Sequence, residues 1–180
     1  MRPHVTIAAV LIVVAGAAAA GAQVTKPAVN GITNFARLET TVACGGPVTA
    51  DGAKELKQMG FKSIFDLQFP TERTADIPGE TAAAKAAGLN FIHVPFTPAT
   101  PDLSQVDKFL KEVVQPANDP AYIHCGGGNR AAGFWFIKRV IVDKWDADRA
   151  LKEAEALGLS SAGDAPMKKF VLEYVNEHKQ

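Results

Sequence analysis

Cysteine is scarce in this chain: two in 180 residues, Cys44 and Cys125, beside four histidines. So few donors form no Cys/His spacing of a zinc or haem site, and neither a metal nor another cofactor is expected. An excess of one charge is also missing. Lys+Arg number 19 against 19 Asp+Glu, a balance that gives no general attraction to nucleic acid or anionic membranes. The one long apolar run is Val5–Ala20, and no other segment could cross a bilayer. That run follows Arg2 and His4, falls short of the roughly 20 residues of a spanning helix, and precedes a small-x-small cleavage site, Ala20-Gly-Ala22. Residues 1–22 therefore read as a secretory signal peptide. The expected product is periplasmic or secreted, with no stable membrane insertion after cleavage. Internal repeats, low-complexity tracts and a second domain are not found either, and one core suits a chain of this length.

What the chain does have is one unusual turn, Tyr122-Ile-His-Cys-Gly-Gly-Gly-Asn-Arg130. Ala121–Ile123 reads as a buried strand, and after Arg130 the residues Phe134, Ile137, Val140 and Ile141 recur at helical spacing. Between them, Gly126, Gly127 and Gly128 can gather main-chain N–H groups without Cβ interference. Such a loop forms an anion-binding concavity at a helix N-terminus. Cys125 opens the concavity and Arg130 closes it. Convergent amides, a helix dipole and a guanidinium each favour a thiolate over a thiol, so the pattern is that of a nucleophile in an oxyanion cradle.

Around this turn, strands and helices alternate. Residues 23–34 read as an extended leader, and residues 35–180 as the domain. Phe35–Ala43 is expected as an edge strand, followed by a helix capped by Thr49 and stopped at Gly60. Ser63–Leu67 is a strand, Glu80–Ala87 a helix ended by Gly88, and Asn90–Val94 a strand broken by Pro95. A helix from Leu103 is capped by Asp102 or Ser104. Two more follow, one capped by Asp146 and ended by Gly158, the other spanning Pro166–His178. This alternation predicts an α/β fold, a mostly parallel four- to five-stranded sheet flanked by helices. The loop would lie at the carboxyl end of a central strand, where such sheets bind ligands.

The His-Cys-to-Arg loop after a strand resembles the signature of cysteine-dependent protein tyrosine and dual-specificity phosphatases. The bacterial branch called beta-lactamase-hydrolase-like or phosphatase-like is the most similar. Likeness extends through Cys44-Gly-Gly-Pro47, Leu56–Leu67, Glu72, Gly88–Pro95 and Trp145–Ala154, roughly residues 30 to 160. The resemblance implies a dual-specificity phosphatase-like fold. It also implies hydrolysis of phosphate monoesters, protein phosphotyrosine among them, through a phosphocysteine on Cys125. Gly126, Gly127, Gly128, Asn129 and Arg130 would hold the phosphate, and His124 would order the loop. Asp102 would protonate the leaving group, with helix capping as its alternative role. Glu72 ranks as a second acid with a structural role as its alternative, lining the pocket or pairing with Arg73, and His93 as a satisfied core histidine.

The loop departs from the usual phosphatase pattern at two points. Four residues rather than five separate Cys125 from Arg130, and Ala131 stands where a Ser or Thr hydroxyl usually helps sulfur leave. A loop of this length also resembles that of rhodanese-like sulfurtransferases, which would work through a Cys125 persulfide. Ala131 equally suits a catalytically silent module that binds a phospho-ligand. In an oxidising compartment Cys44 and Cys125 could pair as a disulfide; alternatively Cys44 is a small buried thiol.

Overall fold

The structure, a computed structural model, describes residues 23–178, so the signal peptide expected at residues 1–22 lies outside the described residues. In chain order the elements are β1 (Val24–Thr25), β2 (Ala36–Leu38), β3 (Val42–Gly45), α1 (Ala50–Gln58), β4 (Ser63–Asp66), α2 (Ile77–Ala87) and β5 (Asn90–His93). After them come α3 (Leu103–Val113), β6 (Ala121–His124), α4 (Asn129–Ile141), α5 (Ala147–Leu157) and α6 (Pro166–His178).

All four residues of β6 are buried, as are all four of β3 and of β4. Strands without polar alternation belong in a sheet covered on both faces. The order is β1-β2-β3-β6-β4-β5, with β6 between β3 and β4 and parallel to both. On one face Ala43, Ile64 and Tyr122 pack with Leu56 of α1 and Ala84 of α2. On the other, Cys44, Phe65 and Ile123 pack with Phe109 of α3, Phe134 of α4, Ala154 of α5 and Val171 of α6. Trp145, between α4 and α5, lies under the Arg139 and Arg149 guanidiniums, 4.1 and 3.5 Å from its ring centre.

The expected α/β sheet flanked by helices is present, mostly parallel and with six strands. Both additional strands arise where local signals are weak. Phe35–Ala43 is not one strand: the chain reverses after Leu38, with Thr41 N–H donating to Leu38 O at 3.1 Å, and β2 pairs antiparallel with β3. Glu39-Thr-Thr41 holds no Gly, Pro or Asn to mark that reversal, although Glu39 takes φ +45°. In residues 23–34, Val24 pairs with Leu38, while Val29 and Ile32 are buried. Gly31 is needed there because φ is +75° and an added Cβ would sit 2.1 Å from Thr49 Oγ1, the hydroxyl that caps α1. Helix α2 also starts three residues before the expected Glu80, at Ile77, capped by Asp76. Pro78 is tolerated in that first turn because its missing N–H has no intrahelical partner to lose.

Candidate active site

The parallel strands β3, β4, β5 and β6 deliver their loops to one end of the sheet, and β6 delivers Cys125. Gly128 takes φ +98° as the N-cap of α4 and directs its N–H at Cys125 Sγ, 3.2 Å away. An added Cβ at Gly128 would lie 3.4 Å from the Gly45 backbone. Gly126 and Gly127 are different: added Cβ atoms would come no nearer than 3.7 Å to any neighbour. Only Gly128 owes its identity to backbone conformation. Cys125 is 3% exposed and its main-chain N–H donates to Gly45 O at 3.3 Å.

Arg130, in the first turn of α4, is brought back beside this thiol. Nη1 donates to Leu67 O, Phe96 O and Glu72 Oε1 at 3.1, 2.9 and 2.7 Å, and Nη2 donates to Glu72 Oε2 at 2.6 Å. Burial opposes the guanidinium charge, but the Glu72 hydrogen bond and the neighbouring Cys125 outweigh it and hold the group above its ordinary value. For Glu72, burial pushes the carboxyl up. Hydrogen bonds from Arg130 and Phe69 N–H prevail and leave it below the usual carboxylate range. Arg130, Glu72 and Asn129 line a cavity of about 530 Å³ whose other walls include Phe69, Pro98 and Met167. Arg130 is the only cation among its lining residues.

Other residues singled out from the sequence divide in two. The structure brings Cys125, the glycines and Arg130 together. Asn129 reaches elsewhere: its Oδ1 accepts from Ser160 N–H at 2.8 Å, tying the loop to the α5–α6 connection and leaving its main-chain N–H to offer an anion. Asp102 is the N-cap of α3, accepting from Ser104 N–H and Oγ at 3.0 and 2.6 Å. Those bonds, the hydroxyl first, hold its exposed carboxyl below the ordinary value. Both thiols are free, and Cys44 is a buried thiol in β3 pushed well up by burial and then by Cys125. His93 is half-buried, with Nε2 2.7 Å from Gln68 O.

Behind the loop, His124, expected to order it, meets two carboxylates that sequence reading missed. His124 is fully buried, with Nε2 2.8 Å from Glu80 Oε2 and Nδ1 3.8 Å from Asp66 Oδ1. Ligand atoms of Asp66, Glu80 and His124 lie within 4.8 Å of one another, so among the described residues this is where a metal could be held. Glu80 Oε2 already lies against the buried imidazole without one, although neither this contact nor that to Asp66 is aligned as a hydrogen bond. Asp66 carried one signal, a carboxylate inside the apolar strand Ser63–Leu67. Glu80 carried none, since a glutamate in a first helical turn is ordinarily a solvated residue favoured by the helix dipole.

A thiol that receives an amide at a helix N-terminus, with a guanidinium locked beside it, is suited to hold a tetrahedral oxyanion. On a sheet of this order it defines a cysteine-dependent phosphatase of the dual-specificity kind. Residues 18–163 match the family described as "DSP-PTPase phosphatase fused to NAD+ Kinase", and the chain belongs to that family. No curated protein sequence matches it significantly. Among solved structures, a DUF442 protein of Shewanella putrefaciens CN-32 is similar at 17% identity and TM-score 0.70, covering 83% of this chain and 94% of that one. P. aeruginosa TpbA is similar at 22% identity and TM-score 0.63, covering 88% and 91%. The core catalytic domain of the S. cerevisiae PP-IP phosphatase SIW14 is similar at 20% and 0.63, covering 82% and 88%. At these identities the likeness concerns the fold.

Proposed function

We propose that this protein hydrolyses phosphate monoesters on Cys125, and that its preferred substrates carry a single phosphate on an aromatic or apolar body. Arg130 carries this reading. Glu72 and two carbonyls hold its guanidinium beside Cys125, and among the described residues no acceptor takes Nε. That edge can take two equatorial phosphate oxygens while Gly128 N–H serves the sulfur side. Thiolate attack forms the S–P bond as the ester P–O bond breaks, and the alkoxide or phenoxide leaves with the electron pair and takes up a proton. Water then attacks phosphorus, releasing inorganic phosphate and the thiolate. Ala131 offers the departing sulfur no hydroxyl, which makes the Gly128 N–H its donor.

The substrate preference follows from two features. The cavity offers one cation, with Phe69, Pro98, Pro166 and Met167 as its apolar walls beside Thr71, Thr97 and the carboxylate of Glu72, a lining poorly matched to substrates with several phosphates. The carboxylates proposed as acids, Asp102 and then Glu72, are both held below their ordinary values, so at neutral pH neither readily protonates a poor leaving group. A phenoxide needs that proton least. Of the similar structures, TpbA has been solved with pTyr and PTPMT1 with PI(5)P; the single cation here favours the former kind of ligand, an aryl phosphate such as a phosphotyrosyl side chain. Sulfur transfer is not favoured, because the family and the fold are those of phosphatases.

We place the enzyme outside the cytoplasm on the strength of residues 1–22; no helix among the described residues is long and apolar enough to cross a membrane. N-terminal sequencing of exported protein should begin at Gln23. For the activity, mature protein and Cys125→Ser are given an aryl phosphate and, separately, thiosulfate with cyanide. Aryl phosphate turnover by the wild type alone is expected. No turnover by either protein overturns the reading, and phosphate binding without turnover would instead indicate a binding module.

A further inference from the structure

Glu80 sits in the first turn of α2, 3% exposed, and its two oxygens reach two different supports of the catalytic loop. Oε2 lies 2.8 Å from Nε2 of His124, the residue immediately before the nucleophile. Oε1 accepts from Val48 N–H at 3.2 Å. Val48 ends the segment that begins at Gly45, whose carbonyl accepts from Cys125 N–H and whose backbone backs Gly128. One carboxylate thus joins the strand that carries the thiol to the segment that walls the loop. The His124 ring is stacked on Tyr122 at 5.8 Å and 17°, and Tyr122 Oη donates to Gly46 O at 2.7 Å within that same segment. His124 O accepts from Leu67 N–H, whose own carbonyl takes Arg130 Nη1.

A buried carboxylate is costly unless it is paired and hydrogen-bonded. Packing alone would be served at least as well by an apolar residue. The remaining titratable group facing His124 is Asp66, on β4, whose Oδ1 is 3.8 Å from Nδ1 and already accepts from Gln68 N–H at 2.7 Å. At that separation Asp66 does not fix the ring, which leaves Glu80, 2.8 Å from Nε2, as the carboxylate in contact with it.

We propose that Glu80 is a positioning residue of the active site, holding Cys125 and the Gly128 amide in register through His124 and the Gly45–Val48 segment. The proposal rests on the phosphatase reading for its effect on turnover, but not for its effect on the thiol. Glu80→Gln keeps the shape and one hydrogen bond and removes the charge. With an aryl phosphate, kcat should fall between about tenfold and a hundredfold, the range expected when reacting groups are slightly misplaced, while KM stays within about twofold. A residue that only stabilised the fold would leave kcat unchanged in protein that remains folded. Glu80→Asp, which keeps the charge but is one methylene short, should not restore kcat.

Carbamidomethylation of Cys125 by iodoacetamide, followed by mass spectrometry of the intact protein, reads the thiol without any turnover. The Glu80→Gln protein should react several-fold more slowly than wild type at the same pH. Equal alkylation rates together with equal kcat overturn the proposal. If wild type hydrolyses no phosphate ester but Glu80→Gln still slows alkylation, the phosphatase reading fails and the positioning role stands. An unchanged near-ultraviolet circular dichroism spectrum and an unfolding midpoint close to wild type establish that the variant compared is folded. Should Glu80→Gln not fold, Glu80→Asp, which keeps the charge and shortens the reach to His124 and Val48, provides the comparison, with the same loss of kcat and slower alkylation expected.

Discussion

Glu72 holds Arg130 end-on, with Oε1 2.7 Å from Nη1 and Oε2 2.6 Å from Nη2. Phe69 N–H and Gln68 Nε2 steady the same carboxylate at 2.9 and 3.5 Å. Two parallel bonds fix the plane of the guanidinium as well as its position. Glu72→Ala should therefore lower kcat/KM for an aryl phosphate by about tenfold to a hundredfold, the cost of a misoriented group. Arg130→Lys should lose more, because a lysine ammonium cannot keep the planar double contact. Steady-state kinetics on both variants checks the order.

The three loop glycines should not behave alike. Gly128→Ala forces a side chain into φ +98° with the Gly45 backbone 3.4 Å away, a strain of about 1–3 kcal/mol. Its thermal midpoint should fall and its activity should be lost. Gly126→Ala and Gly127→Ala, whose added methyl groups meet nothing nearer than 3.7 Å, should unfold within a few degrees of wild type. Thermal denaturation of the three variants side by side decides the matter.

Leaving-group dependence should change with pH. Asp102 and Glu72 both sit below their ordinary values, so each is ionised at neutral pH and takes its proton only as the solution becomes acidic. Turnover of alkyl phosphates, which need that proton, should rise relative to aryl phosphates as pH falls from 7 toward 5. Parallel pH profiles for the two substrate classes would argue against either carboxyl as the acid.

Asp66 should weaken the fold at neutral pH. Burial raises its carboxyl, and its interactions with His124 and Gln68 N–H only partly oppose that shift. The folded chain then binds this proton more tightly than the unfolded chain, whose aspartate titrates near 3.9. The resulting stabilisation is complete below that value and is lost as pH rises through the folded one. Asp66→Asn, whose Oδ1 can still accept from Gln68 N–H, should gain thermal stability relative to wild type, and by more at pH 7.5 than at pH 5.

Cys44 should resist modification. It is buried in β3 with its thiol pushed well up by burial, so native protein exposed to iodoacetamide at pH 7 should take up label on Cys125 alone. Non-reduced intact mass should show two thiols. A mass two hydrogens lighter would indicate the alternative disulfide.

The order of strands and helices from α1 onward, the turn carrying Cys125 and Arg130, and the cap residues Thr49, Asp102 and Asp146 were all set by local sequence, because periodicity, glycine and capping chemistry act over a few residues. Asp102 shows where such reasoning divides: one short segment made it both a cap and an acid, and the structure shows the cap. What links residues far apart in the chain belongs to the tertiary structure alone. Glu72 meets Arg130 across 58 positions and Glu80 meets Val48 across 32, and neither pairing leaves a local trace, because a glutamate in a loop or a first helical turn is ordinary when read alone. Packing turns these two carboxylates into struts of the loop, Glu80 buried behind it and Glu72 partly buried beside Arg130. Burial is a property of the whole packed chain, which no short window of sequence contains.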